Sequence, residues 1–287
     1  MINNNMLSIV SFNVCWEALE AVNKKSKMEH CMKNSENICS KTIGKILAIY
    51  SLNTVKKKYK NITCHDFIGI QEVDPYRDQI WNNNLRIELN KHKFFDKYDK
   101  VYIKKRTVFR SGCITFYNKF KYKLITKYSF NLALVEVDSR PCLITIFQNN
   151  INKNYIIVIN CHFPHLRHSK TDLIKVFDRL NNIIHGYSII FNTNDVIIMG
   201  DFNIDLQDNI NNYLKIIKSN KIKFYDDRHN YKIKTCCNSF GNPNGIFKYG
   251  WYDNIFTTIG SCEYYTYGNE VVDYSSDHKP IYAIIKI

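Results

Sequence analysis

Apolar residues in this chain fall into short, dense runs rich in β-branched and aromatic side chains, separated by polar stretches. Residues 7–12, 67–71, 113–117, 132–137, 142–147, 156–161, 196–199, 253–256 and 281–287 have the length and composition of strands. Between some of them apolar positions recur at three- and four-residue spacing, which predicts helices over 40–52, 76–92, 170–184 and 210–220. The runs Ile156-Ile157-Val158-Ile159 and Val196-Ile197-Ile198-Met199 do not alternate with polar residues, so both are expected to be central strands covered on two faces. No repeat period and no Gly/Ser- or Pro-rich linker divides the chain, so one domain over 1–287 is expected. Residues 21–37, with Lys24, Lys25, Lys27, Lys33 and one cysteine, Cys31, read as a polar insertion. The wider region 21–61 is a candidate lid or substrate-reading element.

Composition narrows the class. Of 287 residues 45% are hydrophobic, enough to bury a sizeable core. Ten cysteines are scattered without a CxxC pair, which fits a reduced, intracellular compartment better than a disulfide framework. The start, MINNNMLSIVSF, lacks a basic segment followed by an apolar h-region. No run approaches the roughly 18 apolar residues of a membrane span. A soluble, monomeric protein is expected. The formal net charge of +14 attracts polyanions: nucleic acid, anionic membrane surface or small phosphorylated molecules. Only eight of the 40 basic residues are Arg, and Asn and Ile abound, so AT-rich coding competes with selection as the source of that charge.

Chemistry-bearing residues recur where apolar strands end. They are Asn13 in SFNVCW, Glu72 in IGIQEVD, His162 in VINCHFPH, Asp201 and Asn203 in IIMGDFNID, Asp253 in GWYDNIF, and Asp277 with His278 in YSSDHKP. In order and local wording these segments resemble the endonuclease/exonuclease/phosphatase superfamily, from Ser8 to about Pro280. A lone GDFN or SDH is weak; the ordered set is specific. The resemblance implies an α/β fold, a four-layer sandwich of two central, mostly antiparallel β-sheets flanked by helices, with loops at one end of the sheets forming the active site.

Phosphodiester hydrolysis requires charge neutralisation on the non-bridging oxygens, hydroxide near neutral pH and a stabilised leaving alkoxide, needs that a hard cation with oxygen ligands helps to meet. The resemblance implies Mg²⁺, with Mn²⁺ as a substitute, held by Glu72, with Asn13 and Asp277 beside it. Asp201 is then the general base and Asn203 a neutral donor. Lying two apart, they are expected to point to the same side of an extended segment. His278 would contact the scissile phosphate, its tautomer fixed by Asp253, and His162 would stabilise the transition state or protonate the leaving group. Blander roles compete for each: a surface carboxylate for Glu72, a loop acid for Asp253, a satisfied core histidine for His162, a turn for Gly200-Asp201-Phe202-Asn203. Arg110 and Arg167, with Arg179, are candidate phosphate contacts, although such residues are more often solvated charges. The run HFPHLRH carries little weight as a zinc site.

Two substrate classes share this apparatus. Basic runs at 56–60 and 104–106, interleaved with Tyr, suit a nucleic-acid backbone. Trp251 two residues before Asp253, and the wording SDHKPIYA, resemble phosphoinositide 5-phosphatases acting at a membrane surface. That branch expects Arg where Asn254 stands and Tyr-Arg where Ile204-Asp205 stands, so a nuclease is favoured. A binding protein on an inactive scaffold is disfavoured because every alignable catalytic position is filled.

Overall fold

The computed structural model describes residues 6–15, 32–33, 36–73, 85–102, 112–132, 140–164, 170–203, 235, 250–266, 276 and 278–287. Two sheets dominate. The first contains β1 (Met6–Asn13), β4 (Phe67–Val73), β5 (Tyr98–Tyr102), β6 (Gly112–Asn118), β12 (Ser261–Thr266) and β13 (Ile281–Lys286), in the order β12-β13-β1-β4-β6-β5. The second contains β7 (Tyr122–Asn131), β8 (Pro141–Asn149), β9 (Tyr155–His162), β10 (Val196–Asp201) and β11 (Asp253–Thr257), in the order β11-β10-β9-β8-β7. Each sheet holds one parallel pair, β1 with β4 and β9 with β10; all other pairs in the two sheets are antiparallel. A two-residue ribbon, β2 (Met32–Lys33) with β3 (Glu36–Asn37), stands apart.

The layering follows from the strand period of two. On β1, Leu7 and Ile9 face the second sheet, where they join Val158, Ile197, Met199 and Ile255 in the inter-sheet core. Val10 and Phe12 face the other way, onto α1 (Ile38–Lys45) and the π-helical turn Ile46–Tyr50 that follows it, through Ile43, Ile46 and Leu47. On the second sheet Ile157, Ile159 and Cys161 pack outward against Val176, Phe177, Leu180 and Ile184 of α5 (Lys170–Ile190). Strands apolar on both faces thus give helix, sheet, sheet, helix. Each fully buried Ile in this core contributes on the order of 2 kcal/mol. Gly69 permits a close inter-sheet approach, because a Cβ there would lie 2.8 Å from Met199 Cε.

The helix expected at 40–52 is longer, running from Ile38 through the π turn to the end of α2 (Ser51–Lys58). Two short helices, α3 (Arg86–Lys91) and α4 (Phe94–Lys97), precede β5. The helix expected at 210–220 and most of the segment 132–137 lie outside the described residues. Among the described strands one edge of the second sheet is β7, which ends just before Leu132. No described helix is long and apolar enough to cross a membrane. Cys15, Cys64, Cys113, Cys142, Cys161 and Cys262 are free, whereas Cys39 is disulfide-bonded to a partner outside the described residues. That departs from the expectation of an all-thiol set, since sequence spacing does not report which cysteines the fold brings together. Burial raises the thiols of Cys113, Cys142 and Cys161, which keeps them as protonated packing groups.

Candidate active site

Inner-facing positions change character toward one end of the sandwich. β1 reads Leu7, Ile9, Ser11, Asn13; β9 reads Ile156, Val158, Asn160, His162; β10 reads Ile197, Met199, Asp201. The register aligns these ends, pairing Asn13 with Gln71, His162 with Asp201 and Asp201 with Asp253. Two central strands from each sheet therefore deliver their last polar side chains into one cleft.

Asn13 is the hub. Its Nδ2 donates to Glu72 Oε1 at 3.0 Å and Asp201 Oδ2 at 2.9 Å, and lies 3.4 Å from His278 Nε2. The amide orientation is fixed by Cys15 N–H, which donates to Asn13 Oδ1 at 3.0 Å. So oriented, Asn13 presents a donor to the two carboxylates. Glu72 reaches the cluster from the register shift between Gln71 and Val73, where its own φ is 58°. Such left-handed geometry is uncommon outside Gly, Asn and Asp, and here it aims the carboxylate inward.

His278 is held from both sides. Its Nδ1 lies 2.8 Å from Asp253 Oδ2, and its Nε2 lies 3.7 Å from Asp201 Oδ2. Ser276 Oγ accepts from His278 N at 3.1 Å and donates to Asn13 O at 2.8 Å, tying the last loop to β1. Thr235 Oγ1 accepts from Asp253 N at 2.9 Å, and Lys279 N donates to Thr235 O at 2.7 Å. Neither Ser276 nor Thr235 was a candidate from sequence, where small hydroxyls carry no signal.

Asp201 is 1% exposed, and burial pushes its carboxyl up to about 7; His278 opposes that rise and Asp253 adds to it. Its Oδ1 accepts from Asn203 N at 2.8 Å. The strand ends at Asp201 and Asn203 has φ 50°, so the two do not share a side by strand alternation as expected. Asn203 folds back instead, and its Nδ2 donates to Phe163 O at 2.7 Å, pinning the end of β9 to the end of β10.

His162 Nε2 sits 3.7 Å from Glu72 Oε1, 3.5 Å from Asp201 Oδ2 and 3.0 Å from Arg140 Nη1. Arg140 was not among the expected phosphate contacts. It precedes the apolar run of β8, and because β8 is antiparallel to β9 the start of one strand lies beside the end of the other. Arg110, Arg167 and Asp277 lie outside the described residues, as does the basic run 104–106. Lys58, from the run at 56–60, bonds to Glu263, which stands level with Ser8, about 17 Å down β1 from Asn13.

Beneath the cleft a polar layer joins the sheets. Gln71 Nε2 donates to Asn160 Oδ1 at 2.7 Å and Ser11 Oγ at 3.3 Å, and Asn160 Nδ2 donates to Ile114 O at 2.8 Å. At Gly200 a Cβ would lie 1.9 Å from Cys161 O, so a side chain there would force apart the strands bearing Asp201 and His162.

Among the described residues two sets of possible metal-ligating atoms emerge, Glu72 with His162 and Asp201, and Asp201 with Asp253 and His278, the atoms of each within 4.8 Å of one another. A buried acid raised toward neutrality, next to a histidine held by a second acid, is equipment for moving a proton. A model of the Endonuclease/Exonuclease/phosphatase family matches residues 10–278, and the chain belongs to that family, whose members hydrolyse phosphoester bonds. An uncharacterized protein, L684 of Acanthamoeba polyphaga mimivirus, is 31% identical over 180 residues, 60% of this chain; the aligned part spans 33% of that relative's length. Among solved structures, an endonuclease/exonuclease/phosphatase from Bacteroides vulgatus superposes with TM-score 0.66 at 17% identity, covering 98% of this chain and 99% of that one. D. rerio TDP2 complexed with single strand DNA product superposes with TM-score 0.57 at 16% identity, covering 97% and 98%. At such identities the likeness is one of fold.

Proposed function

We propose that the chain is a divalent-metal-dependent phosphodiesterase that hydrolyses nucleic acid, using Mg²⁺ with Mn²⁺ as a substitute. The observation that carries this reading is the convergence of Glu72 and Asp201 on the single amide nitrogen of Asn13. Two acids drawn together, one of them fully buried, carry like charge that a hard oxygen-seeking cation balances. The donor set therefore fits Mg²⁺, held by Glu72 with Asp277 as a further carboxylate. When bound, the cation neutralises the non-bridging oxygens of the phosphate.

The chain's own residues supply the rest. Asp201, steadied by Asn13 and by the Asn203 backbone, accepts the proton of the attacking water. His278, with Asp253 on Nδ1, presents Nε2 to the phosphate. Arg140, donating to His162 Nε2, adds a fixed positive charge on the side of β8, where together with His162 it would meet the leaving group. The TDP2 structural neighbour holds a single-stranded DNA product, which supports a nucleic-acid substrate.

The test is hydrolysis by the purified protein with Mg²⁺, and with chelator, across single- and double-stranded DNA, RNA and a phosphoinositide panel. Asp201→Ala serves as the blank. Metal-dependent cleavage of a nucleic acid that the variant lacks supports the proposal. Phosphate release from inositides alone would replace it with the phosphatase reading.

A further inference from the structure

β7 is an edge strand of the second sheet among the described residues. Phe130 pairs with Cys142, which pairs with Cys161, one residue before His162; Tyr128 lies two residues further down the same strand. The strand thus ends at the level of the catalytic row and two strand spacings from it, about 10 Å, but Phe130 and Tyr128 share the outward face of Cys142 and Cys161, toward α5, so a chain leaving the cleft meets them around the sheet edge. It is also joined to the row: Arg140, 3.0 Å from His162, donates its backbone N–H to Asn131 Oδ1 at 2.7 Å.

What this edge presents is planar and cationic. Tyr128, 42% exposed, stacks on Phe130 with centroids 5.9 Å apart and planes 29° apart. The Arg179 guanidinium of α5 lies 4.8 Å from the Phe130 centroid, and its Nη1 donates to Asn131 O at 3.4 Å. β7 contains two lysines, Lys123 and Lys127, both exposed, and no acid. Edge lysines also guard against strand pairing. That role explains neither an exposed Tyr in register with an aromatic–guanidinium pair nor its connection to Arg140.

We propose that this edge is a stacking track for single-stranded nucleic acid flanking the scissile phosphate, with Tyr128 the platform for an unpaired base and Arg140 and Arg179 countering the backbone. The inference deepens the nuclease reading and rests on it. Ring faces attract any base, but only one not already stacked in a duplex, while the cations serve phosphates in either form. A mononucleotide held at Asp201 and His162 would fall short of Tyr128; a short oligonucleotide would reach it.

The test compares Tyr128→Ala, Tyr128→Phe and Arg179→Gln with the parent protein on three substrates: a fifteen-residue oligothymidylate, its duplex with oligoadenylate, and bis(p-nitrophenyl) phosphate. Thermal melting is recorded for each variant. Tyr128→Ala should raise KM for the single strand about ten-fold, with a smaller effect on the duplex and none on the small diester. Tyr128→Phe should restore the parent value. Arg179→Gln should weaken both nucleic acids. An equal loss on all three substrates, or none on the single strand, overturns the track. Fluorescence anisotropy of labelled oligothymidylate with chelator present reads the track without hydrolysis. If the protein cleaves no nucleic acid but binds the oligonucleotide in a Tyr128-dependent way, the nuclease reading fails and the track stands. If it does not bind, the track fails whatever the enzyme cleaves.

Discussion

Asp253 Oδ2 lies 2.8 Å from His278 Nδ1, while the opposite nitrogen of the same ring lies 3.7 Å from Asp201 Oδ2. A buried carboxylate on Nδ1 keeps the proton there and aims Nε2 at the cleft. Asp253→Asn puts an amide in its place that is able to donate to Nδ1 and favour the opposite tautomer. The expected loss is about 10- to 100-fold in kcat with KM little changed, by steady-state kinetics on a small phosphodiester. A loss confined to KM would instead mark Asp253 as part of substrate binding.

Asp201, raised to about 7 by burial, is protonated below that pH and a base above it. Activity is therefore expected to rise with pH on an acid limb, displaced below 7 when a bound cation favours the carboxylate. Asp201→Asn should cost 10²-fold or more and flatten the limb. In chelated protein the folded value of Asp201 stands above the usual 3.8, so its contribution to stability is full below 3.8 and is lost as pH rises through 7. The gain in melting temperature on adding Mg²⁺ should accordingly be larger at pH 8 than at pH 5.

Much of this site was legible in the sequence because each strand announces its end by a switch from apolar to polar residues on the inner face. Asn13, His162 and Asp201 follow that rule, whereas Asp253 opens β11, which runs antiparallel to β10 and so starts where β10 ends; Val10 and Phe12 supply the outer face on which the helical layer packs. Legibility fails where the backbone leaves the strand. The positive φ of Glu72 and Asn203 reorients side chains in ways period-two counting misses. It fails also for half-covered edge strands: β7, with Lys123, Lys127 and Ser129 among its apolar residues, has too weak an alternation to stand out. Arg140 was missed because it stands outside its strand, one residue before β8, with no recognisable motif around it.

Arg140 is expected to act through charge and fork geometry together. Arg140→Ala should lower kcat/KM about ten-fold or more, and Arg140→Lys should recover only part, since an ammonium keeps the charge without the planar pair of donors. Calorimetric titration with Mg²⁺ separates this from damage to the metal site, because neither substitution should weaken metal binding. Parallel losses of metal affinity and activity would count against a substrate-facing Arg140.

The acid sensitivity of the fold should centre far from the cleft, on His65. The ring is fully buried, with Nδ1 2.7 Å from Ser8 Oγ and Nε2 2.9 Å from Ser51 Oγ, and it stacks on Tyr282 at 6.3 Å. Loss of hydration holds it down at about 3, so it is neutral in the folded protein over the whole range in which an unfolded histidine charges. The unfolded chain therefore binds the extra proton, and the stability His65 contributes is full above pH 6.5 and is lost as pH falls toward 3. Asp66, raised by burial beside Lys121, runs in the opposite sense, so the total profile mixes the two. The difference between parent and His65→Phe isolates the histidine. Chemical denaturation at pH 7 and pH 4.5 should show the parent losing more stability on acidification than the variant, whatever the variant loses at neutrality from its unpaired hydroxyls. Equal pH dependence in the two proteins would move the source of acid lability elsewhere, with His162 and His278 next to be tried.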